Sequence, residues 1–287
     1  MSFMQKLKLK NIPTCNKQFI FLGVKEDKRI DGRSSKDFRK LSIEFGLDYG
    51  SSVVNLGDTR VMCNIGYQIA EPKATKSCEG FLNIKVDLAA TMAHSHEKSV
   101  EIMKIVEKNI KESRCLDLES LCLISGEKVY LLEADLIVMN DEGNLPECCS
   151  IAILASLSHF KRPDVSVIDD KIKVHSFTDR HPIPINILHY PFCTSFTFFE
   201  YFKFVCDPTQ AEEQVSDGHL IVGANNYREI TTIHISGKSS INKDIVIKCC
   251  QLAIERSKYL TNFVKDAVER DLAQRNSGIG LRNLINS

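Results

Sequence analysis

The sequence predicts an α+β fold, with helices packed on mixed or antiparallel sheets, from three observations. Period-two segments and period-three-to-four segments follow one another in the order sheet, helix, strand, helix, sheet, helix. Tyr130 to Met139 alternates, with Tyr130, Leu132, Ala134, Leu136 and Val138 on one face and Glu133 and Asp135 on the other, as a half-buried strand does. The run PECCSIAILASLSHF just after it is apolar on every side, which marks a central buried helix.

Taken in order, the chain opens with an arm of residues 1–28. Thr14 is expected to cap a short helix that Gly23 ends, with Phe19, Ile20 and Leu22 as its apolar side. The first 33 residues hold eight Lys/Arg and three Asp/Glu, a basic arm that solvation alone accounts for. A charged hinge, KEDKRIDGRSSKDFR, follows. Its Arg29, Arg33 and Arg39 suit either phosphate binding or bracing of the following sheet by salt bridges. Strand patterns at Leu41–Leu47, Ser52–Leu56, Arg60–Ile69 and Gly80–Leu88 read as an antiparallel meander. The polar loop Glu71–Glu79 belongs at the surface. Ser99 to Arg114 reads as a helix on Val100, Met103, Val106 and Ile110.

After the buried helix, strands are expected at Val165–Ile168, Lys171–Val174, Ile185–His189 and Thr194–Phe199. The stretch FKFVCDPTQAEEQVSDG then reads as strand, acidic turn and strand, leading to Leu220–Ala224 and Glu229–Ile235. Asn242 to about Leu272 is a helix on Ile245, Cys249, Leu252, Leu260, Val264 and Val268, with Ser277-Gly278 ending it and a short tail at 274–287.

Composition narrows the function classes. Lys+Arg and Asp+Glu both number 37, so no global field draws the chain onto nucleic acid or membrane, and any nucleic-acid contact is local. The 11 cysteines show no Cys-x-x-Cys spacing, and Cys148-Cys149 and Cys249-Cys250 sit in apolar helical patterns as small buried hydrophobes. Without a signal peptide or an apolar run of membrane-spanning length, the expected compartment is reducing. His94-x-His96 has ligand spacing but no Cys or acid partner, so no metal is assigned there.

The acidic stretch sets Asp207, Glu212, Glu213 and Asp217 close together after an apolar run. Carboxylates so placed can hold a divalent metal, share a proton for acid/base work, or solvate a turn. The residues alone leave those uses open.

The runs RIDGRSSKDFR, GSSVVNLGDTRVMCNI, CLDLESLCLISGEKV, EGNLPECCSIAILASLSHFKRPDVSV and FVCDPTQAEEQVSDG resemble, in order and nearly end to end, the ribonuclease PH superfamily, and within it the ring subunits of the eukaryotic RNA exosome. That resemblance implies an RNase PH-like fold (ribosomal protein S5 domain 2-like) of two β-α-β halves, about 29–160 and 161–273. It implies as partners RNase PH-like paralogues in a six-membered ring, S1/KH cap proteins, an associated exosome nuclease and RNA, with a nuclear, nucleolar and cytoplasmic location. It also implies where chemistry would sit, because active members carry two aspartates six residues apart at the acidic turn. Asp207 matches the first, and Glu213 stands at the second. Active members further hold phosphate with an arginine where this chain has Lys98, and with a Gly-Thr-Arg-x-Ala-Ser loop where this chain has EGNLPECCS. Lys lacks the planar fork that grips two oxygens, while Pro146 and Glu147 remove an N–H and add negative charge near the anion. The expectation is a non-catalytic ring subunit with degenerate positions Asp207 and Glu213, no metal and no cofactor. Its RNA contacts are expected at Lys73, Lys76, Lys98 and Arg114, made to phosphates without base readout. The alternative is an active phosphorolytic 3′-to-5′ exoribonuclease using Asp207 and Glu213 with Mg2+ and phosphate. A third class, a sequence-specific RNA-binding module, needs exposed aromatics, and Phe196–Phe204 reads instead as a core strand.

Overall fold

The computed structural model describes residues 13–73, 75–88, 95–168, 171–175, 179–199, 203–238 and 241–285. His94 lies outside them, and with it the His94-x-His96 pair.

Helix α1 (Thr14–Lys25) begins at Thr14 itself, with Pro13 as its N-cap, and runs on through Gly23. Ile20 and Val24, four residues apart, bury together, while Phe19 and Leu22 face outward. A Cβ on Gly23 would stand 2.6 Å from the Lys28 carbonyl oxygen, so the glycine serves close packing of the chain leaving the helix and does not stop it.

The first sheet contains β1 (Leu41–Phe45), β2 (Ser51–Leu56), β3 (Thr59–Ala70), β4 (Phe81–Leu88), β5 (Cys122–Ile124) and β6 (Lys128–Asn140), in the order β1-β2-β3-β6-β4 with β5 also on β6. The first three strands form the expected meander. β4 departs from it by pairing parallel to β6, with Ile84 beside Ala134 and Val86 beside Leu136. The intervening helix explains this: α2 (Ser95–Glu107), continued by a π-turn at Lys108–Glu112, carries the chain back over the sheet, and a crossover of that kind joins parallel strands. The inward residues of β6 are all completely buried, as their alternation requires.

Helix α3 (Leu145–His159) is buried along its length except at Ser158. It packs on β2 and β3, on β11 (Phe192–Phe199) of the second sheet and on the long helix α5 (Lys243–Ile285), so only Ser158 is left partly open to water. The second half holds small pairs, β7 (Lys161–Arg162) with β10 (Ile183–Pro184), and β8 (Val165–Ile168) with β9 (Lys171–Val174). Its main sheet runs β12-β11-β13-β14, all antiparallel, with β12 (Lys203–Cys206), β13 (Gly218–Ala224) and β14 (Ile230–Gly237). The strand expected at Ile185–His189 reduces to a single bridge between Leu116 and Ile187. α5 passes through Ser277-Gly278 to Ile285, so residues 274–285 extend the helix in place of the expected tail. Cys148, Cys149, Cys249 and Cys250 are buried free thiols, and burial pushes Cys148 above its ordinary range. Phe196, Phe198 and Phe199 are core residues. Among the described residues no helix is long and apolar enough to cross a membrane.

Because α3 is the contact shared by both sheets and α5, truncating it opens a void that neighbours on all sides would have to close. Leu154→Ala is expected to cost about 2–5 kcal/mol in urea unfolding, while Leu47→Ala, at a side chain 97% exposed, stays within about 0.5 kcal/mol.

Candidate functional site

The acidic turn contains a short helix, α4 (Gln210–Val215), that the sequence pattern did not predict. Thr209 and Glu212 form a capping box: the Thr209 hydroxyl accepts the Glu212 N–H, and the Glu212 carboxylate accepts the Thr209 N–H at 2.8 Å. The three hinge arginines converge on this turn. Their long-range salt bridges go to this turn, and Arg39 also reaches the sheet that follows at Thr59 Oγ1.

Arg29, 5% exposed, donates from Nε and Nη2 to the two Glu212 oxygens at 2.9 and 2.6 Å, and to the carbonyls of Cys206 and Asp207. Its planar fork is what satisfies a carboxylate and two carbonyls at once. Asp207, with a left-handed φ of 48°, is completely buried. Its Oδ2 accepts the Arg39 backbone N–H at 2.7 Å, Arg33 Nη1 at 2.9 Å and Arg39 Nε at 3.0 Å. Its Oδ1 accepts Arg39 Nη2 at 2.8 Å and Asn144 Nδ2 at 2.6 Å. A carboxylate offers about four lone-pair sites, and these five donors fill them. Burial alone would raise the Asp207 pKa; the Arg39 hydrogen bonds and charge, with Asn144, outweigh it and hold the group ionised below its ordinary range.

The loop at 142–144 closes the site from the other half. Gly143, at φ 88°, lies so close to the acidic turn that a Cβ would stand 2.6 Å from Pro208 O and Gln210 N. Arg39 spans both sides, donating also to Thr59 Oγ1, Glu142 O and Gly143 O. Asn144, again left-handed at φ 56°, shares its amide between Asp207 and Glu147, with Glu147 Oε2 at 2.7 Å. Glu147 is completely buried and accepts Arg256 Nε of α5 at 2.9 Å, while the Arg256 guanidinium lies 4.1 Å over the Phe38 ring. Burial, reinforced by the nearby Asp207, raises the Glu147 pKa, and Arg256 offsets part of this.

Glu213 is separate from Asp207. Its Oε1 accepts the Asn144 N–H at 2.7 Å, and its pKa is pushed up to about 7, mainly by burial, with Asp141 adding to the rise and Lys98 opposing it. Lys98 is paired with Asp141.

A divalent metal between Asp207 and Glu213 does not fit this arrangement, because every acceptor site of Asp207 is committed to a cation or an amide. Among the described residues no group of three or more His, Cys, Asp or Glu is arranged to hold a metal ion. Burial brings Glu213 to where a carboxyl exchanges a proton near neutral pH.

The other sequence-read cations part into two places. Lys73, Lys76 and Arg114 surround one cavity of about 410 Å3, together with Lys111 and over an apolar floor that includes Phe81, Ile110 and Leu116. Lys73 lies 5.6 Å over the Phe81 ring, and Lys76 pairs with Glu79 at 2.6 Å. Lys98 is not among them. Sequence reasoning did not single out Asn144, Asp141 or Arg256. Arg256 did leave a signal, since it stands between Ala253 and Leu260 on the stripe that α5 buries.

Comparison with known proteins matches this architecture to a described family. The model of the 3′ exoribonuclease family matches its domain 1 at residues 37–163 and its domain 2 at 189–256. The chain belongs to this RNase PH family. Its curated relatives are named exosome complex component RRP45: the chain is 36% identical over 274 residues to that of Bos taurus, covering 93% of this chain and 62% of the relative. It is 33% identical over 267 residues to that of Schizosaccharomyces pombe, covering 91% and 92%. The chain thus spans less than two thirds of the length of the bovine relative. Among solved structures, an archaeal exosome core chain superposes with a TM-score of 0.75 at 24% identity, over 88% of this chain and 96% of that one, and it shares the fold. The family resemblance read from the sequence motifs is borne out.

The folded Glu213 titrates near 7 against an ordinary 4.5, so between those values the folded state holds the extra proton. Its contribution to stability therefore falls as pH rises from about 4.5 to about 7 and is level above that. In Glu213→Gln the fall across this window should be smaller than in the parent when urea midpoints are compared pH by pH. Superimposable pH profiles would contradict the assignment.

Proposed function

We propose that this chain is a non-catalytic ring subunit of an RNA exosome. It would scaffold a hexamer of RNase PH-like paralogues under S1/KH cap proteins and pass RNA along its path to an associated nuclease for 3′-to-5′ processing and decay. The names of its RRP45 relatives support the assembly. The observation that carries the absence of catalysis is the saturated Asp207 carboxylate, which Arg33, Arg39 and Asn144 occupy completely. Phosphorolysis also needs a cationic pocket for inorganic phosphate. Here Lys98 is neutralised by Asp141, Arg256 by Glu147, and Arg39 by Asp207. The contact between Gly143 and the Pro208–Gln210 backbone leaves no gap for an anion between the two loops. On this reading the chain would reside in the nucleus, nucleolus and cytoplasm.

RNA contact on this reading falls to the cavity rim, where Lys73 and Arg114 present charge and Lys76 would have to exchange its Glu79 partner for a phosphate. Lys98 contributes to the ion pairs of the former site instead.

Purified chain incubated with RNA, phosphate and Mg2+ is expected to release no nucleoside diphosphate above a protein-free control. Robust product that Asp207→Asn abolishes would overturn the non-catalytic assignment. In a reconstituted ring, replacing both Lys73 and Arg114 with Ala should lower RNA affinity equally for unrelated sequences and reduce the salt slope by about 1 for each phosphate that is no longer neutralised. An unchanged slope would remove these residues from the path.

A further inference from the structure

Among the exposed large apolar side chains, three lie on one strand. Ile230, Ile233 and Ile235 of β14 are 44%, 44% and 53% exposed. Ile233 stands opposite Val222 and Ile235 opposite Leu220, so both lie on the sheet face that α5 covers. α5 packs over β11 and β13, where Leu220 and Val222 join Cys249, Cys250 and Ala253 in one cluster, but that cover stops short of β14. The opposite face of the strand is occupied, with Thr232 buried and His234 near Glu101 of α2. The layer of sheet under helix therefore ends one strand before its apolar surface does.

The backbone of β14 is open in the same way. It is the last strand of its sheet, and among the described residues nothing pairs with its outer edge. Proteins protect such edges with short strands, charged side chains or proline. The other edges here follow that rule. β1 has five residues and β12 four, and β4 carries exposed Lys85 and Asp87, with Lys85 bound to Glu133. β14 is eight residues long, reads ITTIHISG, and contains no acid, lysine, arginine or proline.

A row of N–H and C=O groups left to solvent is a template along which another extended strand can pair. A strand by itself would leave the isoleucines half covered, whereas the edge of a helix-backed sheet supplies both the ladder and the missing cover. We propose that β14 is a docking edge for a strand of a different chain of the same fold. That partner would extend this sheet and close over Ile233 and Ile235; the proposal rests on the ring reading above and names the surface it would use. A second copy fits less well, because two-fold pairing centred on His234 brings Ile233 opposite Ile235 but sets Ile230 against Lys238 at both ends. The flanking Glu229 and Lys238 instead call for a partner with a cation at one end and an acid at the other.

The test uses the complex obtained by co-expressing the full chain with its ring paralogues. Hydrogen exchange at residues 230–237 is expected to slow by about tenfold or more in the complex relative to the free chain. Replacing both isoleucines, Ile233→Lys with Ile235→Lys, should weaken assembly by about tenfold or more while circular dichroism of the free chain is unchanged. A complex that forms with no added protection at 230–237 overturns this proposal and leaves the ring reading intact. Failure to form any complex overturns both. Self-association of the chain alone, with protection at 230–237 that the double variant removes, overturns the choice of a different chain. Should the double variant not fold, the exchange measurement on the parent complex decides the matter by itself.

Discussion

One buried carboxylate ties the second half of this protein to the hinge and to the loop before the buried helix. Asp207 follows β12 in the second half, yet its partners come from elsewhere: Arg33 and Arg39 from the hinge before the first sheet, and Asn144 from the loop that opens α3. Removing such a group from water is expensive, and only several charge-assisted hydrogen bonds of good geometry repay it. Two guanidinium forks, a backbone N–H and an amide meet that requirement. Arg29 with Glu212 and Arg256 with Glu147 extend the same arrangement on either side. The left-handed backbone at Asp207 and Asn144 follows from it, since these turns must aim both side chains inward at one point.

The same saturation separates the fold's architecture from its chemistry. An active site needs a carboxylate whose lone pairs are open to a metal or a proton, and a cationic pocket with charge to spare. Here each cation near the acidic turn has an internal acid as its counter-charge. The turn, its capping box and its close contact with the loop before the buried helix are fixed by these internal pairs. Glu213, protonated more readily than an ordinary carboxyl, joins this cluster through the Asn144 N–H without contacting Asp207.

Much of the fold was legible because it rests on local periodicity. The alternation from Tyr130 to Met139 gave the face that is buried, and the unbroken apolar character of Leu145–His159 followed from contact with two sheets and a helix. The parallel pairing of β4 with β6 was not legible, since no residue in either strand encodes the direction of its neighbour; the crossover helix between them does. The short helix Gln210–Val215 was hidden because its cap, Thr209, and its Glu212 read equally as a solvated acidic turn. At the site, Asp207 and Glu213 were found by family pattern. The destination of Arg29, Arg33 and Arg39 was not, because bonds spanning 168 to 183 residues leave no trace in local spacing.

The central claim is that Asp207 serves as the internal counter-charge of the hinge arginines. A double-mutant cycle on Arg39→Met and Asp207→Asn, followed by urea unfolding of both single variants and the pair, tests it most directly. The account predicts that each single variant is destabilised by about 3–5 kcal/mol and that the pair loses much less than the sum. Asp207→Asn that is neutral or stabilising, with the two effects simply adding, would contradict it and mark Asp207 as a carboxylate retained for a ligand.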